Sequence, residues 1–282
     1  MKMESDYLER SKETIKLALN EDIQNGDITT LAIVDGEKKC QGKLVAKESG
    51  IIAGLGVFEF VFKILDEEGI DFTPNFEDGA EVKKGETIAE FSGKMRTVLS
   101  GERTALNFLQ RMSGVATKTR QYVDQLVGTK SELLDTRKTL PGFRSLDKYA
   151  VAVGGGKNHR IGLFDMVMLK ENHIKAAGSI TSAVKLIREK YNSNYKIEVE
   201  TANLSEIKEA IKSHVDVIML DNMSIDNMKF AVRLIGGSAK IEASGNITIK
   251  NIRAVAETGV DYISVGAITH SVSALDISLL II

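Results

Sequence analysis

Two short runs in this chain carry groups suited to anion chemistry: Asp135-Thr136-Arg137-Lys138 and Lys157-Asn158-His159-Arg160. Arginine offers a planar fork that matches carboxylate and phosphate geometry, and lysine offers a compact point charge. The cations of both runs lie in a segment, 137–175, that holds eight cations (Arg137, Lys138, Arg144, Lys148, Lys157, Arg160, Lys170, Lys175) against three acids (Asp147, Asp165, Glu171). His159 and His173 fall in the same segment. The whole chain is slightly acidic, with a formal net charge of −2 and a pI near 6.2. No global positive field therefore exists to hold nucleic acid or an anionic membrane. Any anion binding must be local.

Groups of this kind need a frame that aims them at one point. After residue 128 the chain repeats a beat of apolar strand, loop and helix. Strands are expected near 132–134, 166–169, 196–199, 217–220, 241–243 and 262–265, with helices over 179–190, 205–213, 225–235 and 248–258. Alternation of this type implies a parallel α/β sheet with right-handed crossovers. Six strands fall short of the eight of a closed barrel, so an open or incomplete barrel is expected, with a doubly wound sheet as the alternative. The residues that follow the strands are polar or glycine: Asp135-Thr136-Arg137-Lys138, Lys170-Glu171-Asn172-His173, Glu200-Thr201, Asp221-Asn222, Ser244-Gly245-Asn246 and Gly266-Ala267. Sites in parallel α/β folds assemble at these carboxyl ends.

The first part of the chain reads differently. Leu8, Ile15 and Leu19 mark an amphipathic helix over 5–20 that stops near Asn25-Gly26, and short alternating runs broken by glycine between 40 and 93 read as strands. An apolar helix over 57–65 interrupts them. The stretch 78–85 resembles a carrier-sandwich turn but has no lysine in a modification turn. A long amphipathic helical region follows over 100–127, with a break expected at Ser113-Gly114. With 282 residues, 43% of them hydrophobic, the chain has material for one large or two ordinary domains.

Several classes are excluded. The single cysteine, Cys40, rules out an internal disulfide framework and reads as a small buried hydrophobe. The N-terminus is charged throughout and has no apolar h-region, no run of 18 apolar residues appears, and the C-terminal Leu279-Leu280-Ile281-Ile282 is short enough to pack on a core, so a cytoplasmic enzyme without a membrane span is expected. The run Gly154-Gly155-Gly156-Lys157-Asn158 fails the P-loop pattern because Val151 stands where a glycine is needed and Asn158 where Ser or Thr is needed. It reads as a loop presenting basic groups. Ser244-Gly245-Asn246 and Val265-Gly266-Ala267 are better phosphate cradles, since glycine lets backbone N–H groups approach and helix starts favour anions. Zinc ligand sets and GxSxG elbows are missing. Glu200 and Asp221 could hold Mg²⁺ with substrate phosphates, or could instead pair with Lys170 or Arg137.

Longer motifs carry a resemblance: Gly101-Glu102-Arg103-Thr104-Ala105-Leu106-Asn107, Asp135-Thr136-Arg137-Lys138-Thr139-Leu140-Pro141-Gly142, Gly155-Gly156-Lys157-Asn158-His159-Arg160, Leu220-Asp221-Asn222 and the segment 258–271. Nearly end to end, the chain resembles the quinolinate phosphoribosyltransferase family. The resemblance implies an N-terminal α/β sandwich over 1–112 joined by the tail 271–282, an open α/β barrel over 113–270, and a homodimer whose sites borrow residues from the partner. It implies that Thr136, Arg137, Lys138, His159, Arg160 and Lys170 bind quinolinate, with Arg103 supplied by the other subunit. Glu200, Asp221, Ser244, Gly245, Asn246, Val265, Gly266 and Ala267 would line the phosphoribosyl pyrophosphate side, and His270 lies in a matching THS segment. Lys138, Glu200 and Asp221 are the implied catalytic groups, and Mg²⁺ the implied cofactor. The runners-up are a molybdenum-transport-associated relative of the same fold, a non-catalytic small-anion binder, and an aldolase-like barrel using Lys170 as a Schiff base. Glu171 and His173 beside Lys170 argue against the last.

Overall fold

The structure is a computed structural model describing residues 2–282. In chain order its elements are α1 (Lys2–Ile23), α2 (Ile28–Ile33), β1 (Lys39–Ala46), β2 (Gly50–Ile51), α3 (Leu55–Leu65), β3 (Ile70–Pro74), β4 (Glu81–Val82), β5 (Thr87–Lys94), α4 (Met95–Asp124), β6 (Glu132–Leu134), α5 (Arg144–Val153), β7 (Val167–Leu169), α6 (Glu171–Ala177), α7 (Ile180–Tyr191), β8 (Ile197–Thr201), α8 (Leu204–Lys212), β9 (Val217–Asp221), α9 (Ile225–Ile235), β10 (Lys240–Ser244), α10 (Ile252–Ala256), β11 (Tyr262–Ser264), α11 (Ala267–His270) and β12 (Ile277–Ile281). They divide into two compact units. One comprises Met1–Arg120, Thr139–Gly155 and Ile268–Ile282, and the other Gln121–Lys138 and Gly156–Ala267. Residues 113–120 and 139–155, placed with the barrel by the linear division at residue 112, thus pack with the first unit.

The first unit is built on an antiparallel sheet ordered β12-β1-β5-β3. Alternation along β1 buries Leu44 and Ala46 completely, and α3 buries Phe58 and Phe62, with Phe58 packed on Phe72 of β3 at 5.5 Å between ring centroids. The apolar C-terminus becomes a strand, with Leu279 opposite Leu44. Cys40 sits opposite Gly93 and is only half-buried, so the expectation of a buried thiol is corrected. Asp78, in the carrier-like turn, plays a structural part. It accepts from the Gly54 and Leu55 N–H groups at the start of α3 (2.8 and 3.1 Å) and from the Tyr149 hydroxyl (2.8 Å). Tyr149 of α5 stacks on Tyr7 of α1 with ring centroids 3.7 Å apart, which ties 139–155 to this unit.

The break expected at Ser113-Gly114 does not occur, because α4 runs unbroken for 30 residues. Both residues are contact points instead. Ser113 Oγ accepts from the Ala53 N–H at 3.0 Å and donates to the Ala53 carbonyl at 3.3 Å. A Cβ on Gly114 would lie 2.2 Å from the Ser273 carbonyl oxygen, so only glycine lets the C-terminal segment come so near.

The second unit is a six-stranded parallel sheet ordered β6-β11-β10-β9-β8-β7. From β7 to β11 each strand lies beside the one before it, and β6 adds on the far side of β11. A doubly wound sheet would reverse direction part-way, so the open barrel is the form adopted. The strand positions match the expected ones to within two residues. Helix starts follow their caps: Ser179 accepts from the Ser182 N–H, Asn203 from Ser205 and Glu206, and Ser224 from Asn227. The short helices α2 and α6 have no counterpart among the expected elements. Along the open edge of β6, the Lys157 N–H donates to the Leu133 carbonyl (2.8 Å) and the Asp135 N–H to the Lys157 carbonyl (3.1 Å), so the glycine-rich run leads into a one-residue bridge rather than a free loop.

Gly114→Ala should destabilise the chain by about 2 kcal/mol or more, since the added methyl has to displace backbone and outweighs the gain in helix propensity. Denaturant unfolding checks it; a variant as stable as the parent would mean that the approach of Ser273 to α4 contributes little.

Candidate active site

In the barrel unit the carboxyl ends of the strands carry the candidate groups in two sets. Thr136, Arg137 and Lys138 follow β6, His159 and Arg160 continue the bridged segment at its edge, and Lys170 follows β7. Glu200 and Asp221 end the adjacent strands β8 and β9, Ser244 ends β10 with Gly245 and Asn246 behind it, and Val265, Gly266 and Ala267 lead from β11 into α11. Cations thus cluster at the two edge strands and acids at the middle ones. Lys170 Nζ and Glu200 Oε2 lie 2.6 Å apart, the pairing that the sequence leaves open. A lysine held as an ammonium partner is poorly placed to serve as a Schiff-base amine. Arg103 and His270 belong to the other unit; Arg103 lies on α4, and His270 is exposed at the end of α11, its Nδ1 2.6 Å from Ser271 Oγ.

Local geometry shapes each set. Thr136 Oγ1 accepts from the Lys138 N–H at 3.0 Å, closing a tight turn after β6. Arg160 Nη1 donates to the Met166 carbonyl at 2.8 Å, just before β7. Burial, and then the neighbouring positive charge of Arg137, lower the Arg160 pKa. On the other side, Gly245 adopts φ +95° and Asn222 and Asn246 adopt φ +52°. Asn246 Nδ2 donates to Asn222 Oδ1 at 2.9 Å, and a Cβ on Gly245 would lie 2.3 Å from that same oxygen. The positive φ favours glycine there, and a side chain at 245 would push the Asn222 amide out of its contact with Asn246.

Beneath the mouth lies a layer that strand-end reading misses. Asp135 is fully buried; its Oδ1 accepts from the His159 N–H and its Oδ2 from Asn158 Nδ2, both at 2.8 Å. His159 Nε2 lies 3.1 Å from Glu198 Oε2 on β8 and 3.3 Å from Glu242 Oε2 on β10, and both glutamates are 1% exposed. The sequence does hold a signal for them. Ile197-Glu198-Val199-Glu200 and Ile241-Glu242-Ala243-Ser244 alternate apolar with polar in strands of a sheet expected to be buried on both faces.

His159, Glu198 and Glu242 offer three possible metal-ligand atoms within 4.8 Å of one another. The ring settles against that use. The Arg160 N–H donates to His159 Nδ1 at 2.7 Å, so Nδ1 carries the lone pair and Nε2 the proton. A nitrogen holding its proton has no lone pair for a metal. Burial lowers the His159 pKa and the two carboxylates raise it, with a net upward push. A charged ring would need a second proton on Nδ1, where the Arg160 N–H already points. Burial in turn pushes Glu198 up to about 7.

The model of the quinolinate phosphoribosyl transferase N-terminal domain matches residues 27–113, and that of the C-terminal domain matches residues 115–280. The chain belongs to the quinolinate phosphoribosyltransferase family. A probable nicotinate-nucleotide pyrophosphorylase (carboxylating) of Bacillus subtilis is 46% identical over 259 residues, covering 92% of this chain and 89% of the relative. Crystallised NadC from Streptococcus pyogenes is 42% identical with a TM-score of 0.93 and covers 98% of both chains. The nicotinate-nucleotide pyrophosphorylase from Francisella tularensis superposes with a TM-score of 0.93 at 42% identity, over 97% of this chain and 96% of its own. Matches of this extent account for the family motifs across both units.

In this family member the Asn222–Asn246 contact should depend on residue 245. Gly245→Ala is expected to cost about 1–2 kcal/mol of stability from the strained φ alone. It should also weaken phosphoribosyl pyrophosphate binding while leaving quinolinate binding within about twofold, as read from separate titrations of the two ligands. Equal weakening of both would mean that the loop does not serve one half of the site.

Proposed function

We propose that this chain transfers the phosphoribosyl group of phosphoribosyl pyrophosphate to the ring nitrogen of quinolinate, with loss of pyrophosphate and CO₂, giving nicotinate mononucleotide in de novo NAD biosynthesis. The observation that carries the reading is the match of both family domains over nearly the whole chain, joined to the separation of cations and acids at one barrel mouth. The lone pair of the ring nitrogen forms the bond to ribose C1 as the C1–O bond to pyrophosphate breaks. The 2-carboxylate then leaves as CO₂, its bonding pair stays on ring C2 beside the cationic nitrogen, and a proton adds there. No protein nucleophile is needed. Catalysis in this scheme comes from positioning and from charge fixed before the reaction begins.

Within that scheme Arg137, Arg160 and Lys170 take the two carboxylates, Thr136 and His159 border them, and Lys138 is the candidate proton source for C2. Ser244, Gly245, Asn246, Val265, Gly266 and Ala267 present backbone N–H groups and side chains to the phosphates. Glu200 and Asp221 are half-buried carboxylates on neighbouring strands, a hard oxygen donor set that fits Mg²⁺. Bound there with the pyrophosphate, Mg²⁺ would neutralise charge on the leaving group. The proposed setting is cytoplasmic, in keeping with the finding that no helix among the described residues is long and apolar enough to cross a membrane.

The experiment is a comparison of acids. Nicotinate lacks the 2-carboxylate and would leave a cationic contact unmatched, which costs roughly 3 kcal/mol, on the order of 10² in rate. Quinolinate should turn over that much faster with Mg²⁺ present; equal turnover would overturn the assignment.

A homodimer with shared sites is part of the proposal, with Arg103 reaching the partner's barrel and His270 in the segment that leads away from β11. Arg103→Ala and Arg137→Ala should each be nearly inactive. Refolded together, they should recover roughly a quarter of wild-type activity, because half the dimers are mixed and one site in each mixed dimer collects neither defect. Mixed dimers without activity would place Arg103's role in its own subunit.

A further inference from the structure

The barrel interior contains more buried acid than the reaction above uses. Glu198 and Glu242 reach inward from β8 and β10, each 1% exposed, and the Oε1 atom of each has no hydrogen-bond partner among the described residues. Burying two carboxylates is expensive, and a pair of well-packed apolar side chains at such positions is often as stable or more so. Stability alone does not account for them. Their Oε2 atoms converge on one atom, His159 Nε2, at 3.1 and 3.3 Å.

That atom governs what lies above it. With its proton directed at the two carboxylates, the ring is left with a lone pair on Nδ1, and this is the acceptor for the Arg160 N–H at 2.7 Å. Asp135 holds the same segment through the His159 N–H and Asn158 Nδ2. Arg160 is therefore fixed at its backbone by the imidazole and at its guanidinium by the Met166 carbonyl. A ring with its proton on Nδ1 would point N–H at N–H and push Arg160 away.

We propose that Glu198 and Glu242 are positioning residues for the quinolinate half of the site: by holding the Nε2 proton of His159 they set its tautomer, and the tautomer sets the placement of Arg160. The inference rests on the transferase reading. A contact made only for packing would affect both substrates alike. One that works through His159 and Arg160 affects quinolinate selectively, and only while the imidazole is present.

The test uses the full-length protein as wild type, Glu242→Leu and Glu242→Gln, each with and without His159→Ala, and titrates quinolinate and phosphoribosyl pyrophosphate separately. Glu242→Leu should raise the quinolinate dissociation constant about tenfold and leave that of phosphoribosyl pyrophosphate within about twofold. Glu242→Gln keeps an acceptor oxygen and should restore quinolinate binding to within about threefold. In the His159→Ala background, Glu242→Leu should add less than about twofold. The proposal is overturned if Glu242→Leu leaves quinolinate binding intact, weakens both ligands alike, or acts in full without His159. Should Glu242→Leu fail to fold, the ¹⁵N spectrum of the wild-type histidines decides: a neutral His159 ring protonated at Nε2 supports the proposal, and a ring protonated at Nδ1 refutes it. A wild-type protein that binds and converts no quinolinate would instead overturn the transferase reading, leaving the tautomer result standing.

Discussion

The barrel mouth depends on a buried constraint: three carboxylates, Asp135, Glu198 and Glu242, receive the Asn158-His159 step from below. The parallel sheet is open between β6 and β7, and its edge has to be closed by chain that is neither strand nor helix. Lys157 supplies one bridge to Leu134 and no regular ladder follows. Side-chain acceptors take over where backbone pairing ends, which is the general requirement for burying irregular backbone. Arg160, Arg137 and Lys138 are displayed above this anchored step.

Charge arrangement then follows from strand order. The edge strands β6 and β7 carry the cations and the adjacent middle strands β8 and β9 carry Glu200 and Asp221, so one sheet presents two fields of opposite sign. A dianionic pyridine and a pyrophosphate ester with its cation have matching requirements. The Lys170–Glu200 pair at 2.6 Å joins the two fields before any ligand arrives. An exposed pair of this kind contributes little to folding, so its components remain available for exchange with substrate groups.

Much of this was legible from residue types. Strand–helix alternation after residue 128 located every barrel strand because each is a short apolar run bounded by a polar loop, and the strand ends named the mouth residues. Two things escaped. Ser113-Gly114 looks like a helix break, yet inside α4 the serine binds Ala53 and the glycine admits Ser273, contacts that only tertiary packing reveals. Glu198 and Glu242 lie inside strands, where acids are read as solvent-facing, and the histidine they hold is nearly forty residues from one and over eighty from the other. The assignment of 139–155 to the first unit was hidden for a similar reason, since the stacking of Tyr149 on Tyr7 has no local sequence signature.

The central claim is a coupled transfer and decarboxylation at one site without a protein nucleophile, and it is tested most directly by isotope. Wild-type protein given phosphoribosyl pyrophosphate, Mg²⁺ and quinolinate labelled in its 2-carboxylate should release labelled CO₂ and pyrophosphate in equal amounts, with unlabelled nicotinate mononucleotide as the product. Pyrophosphate release without labelled CO₂, or label retained in the nucleotide, would contradict the account.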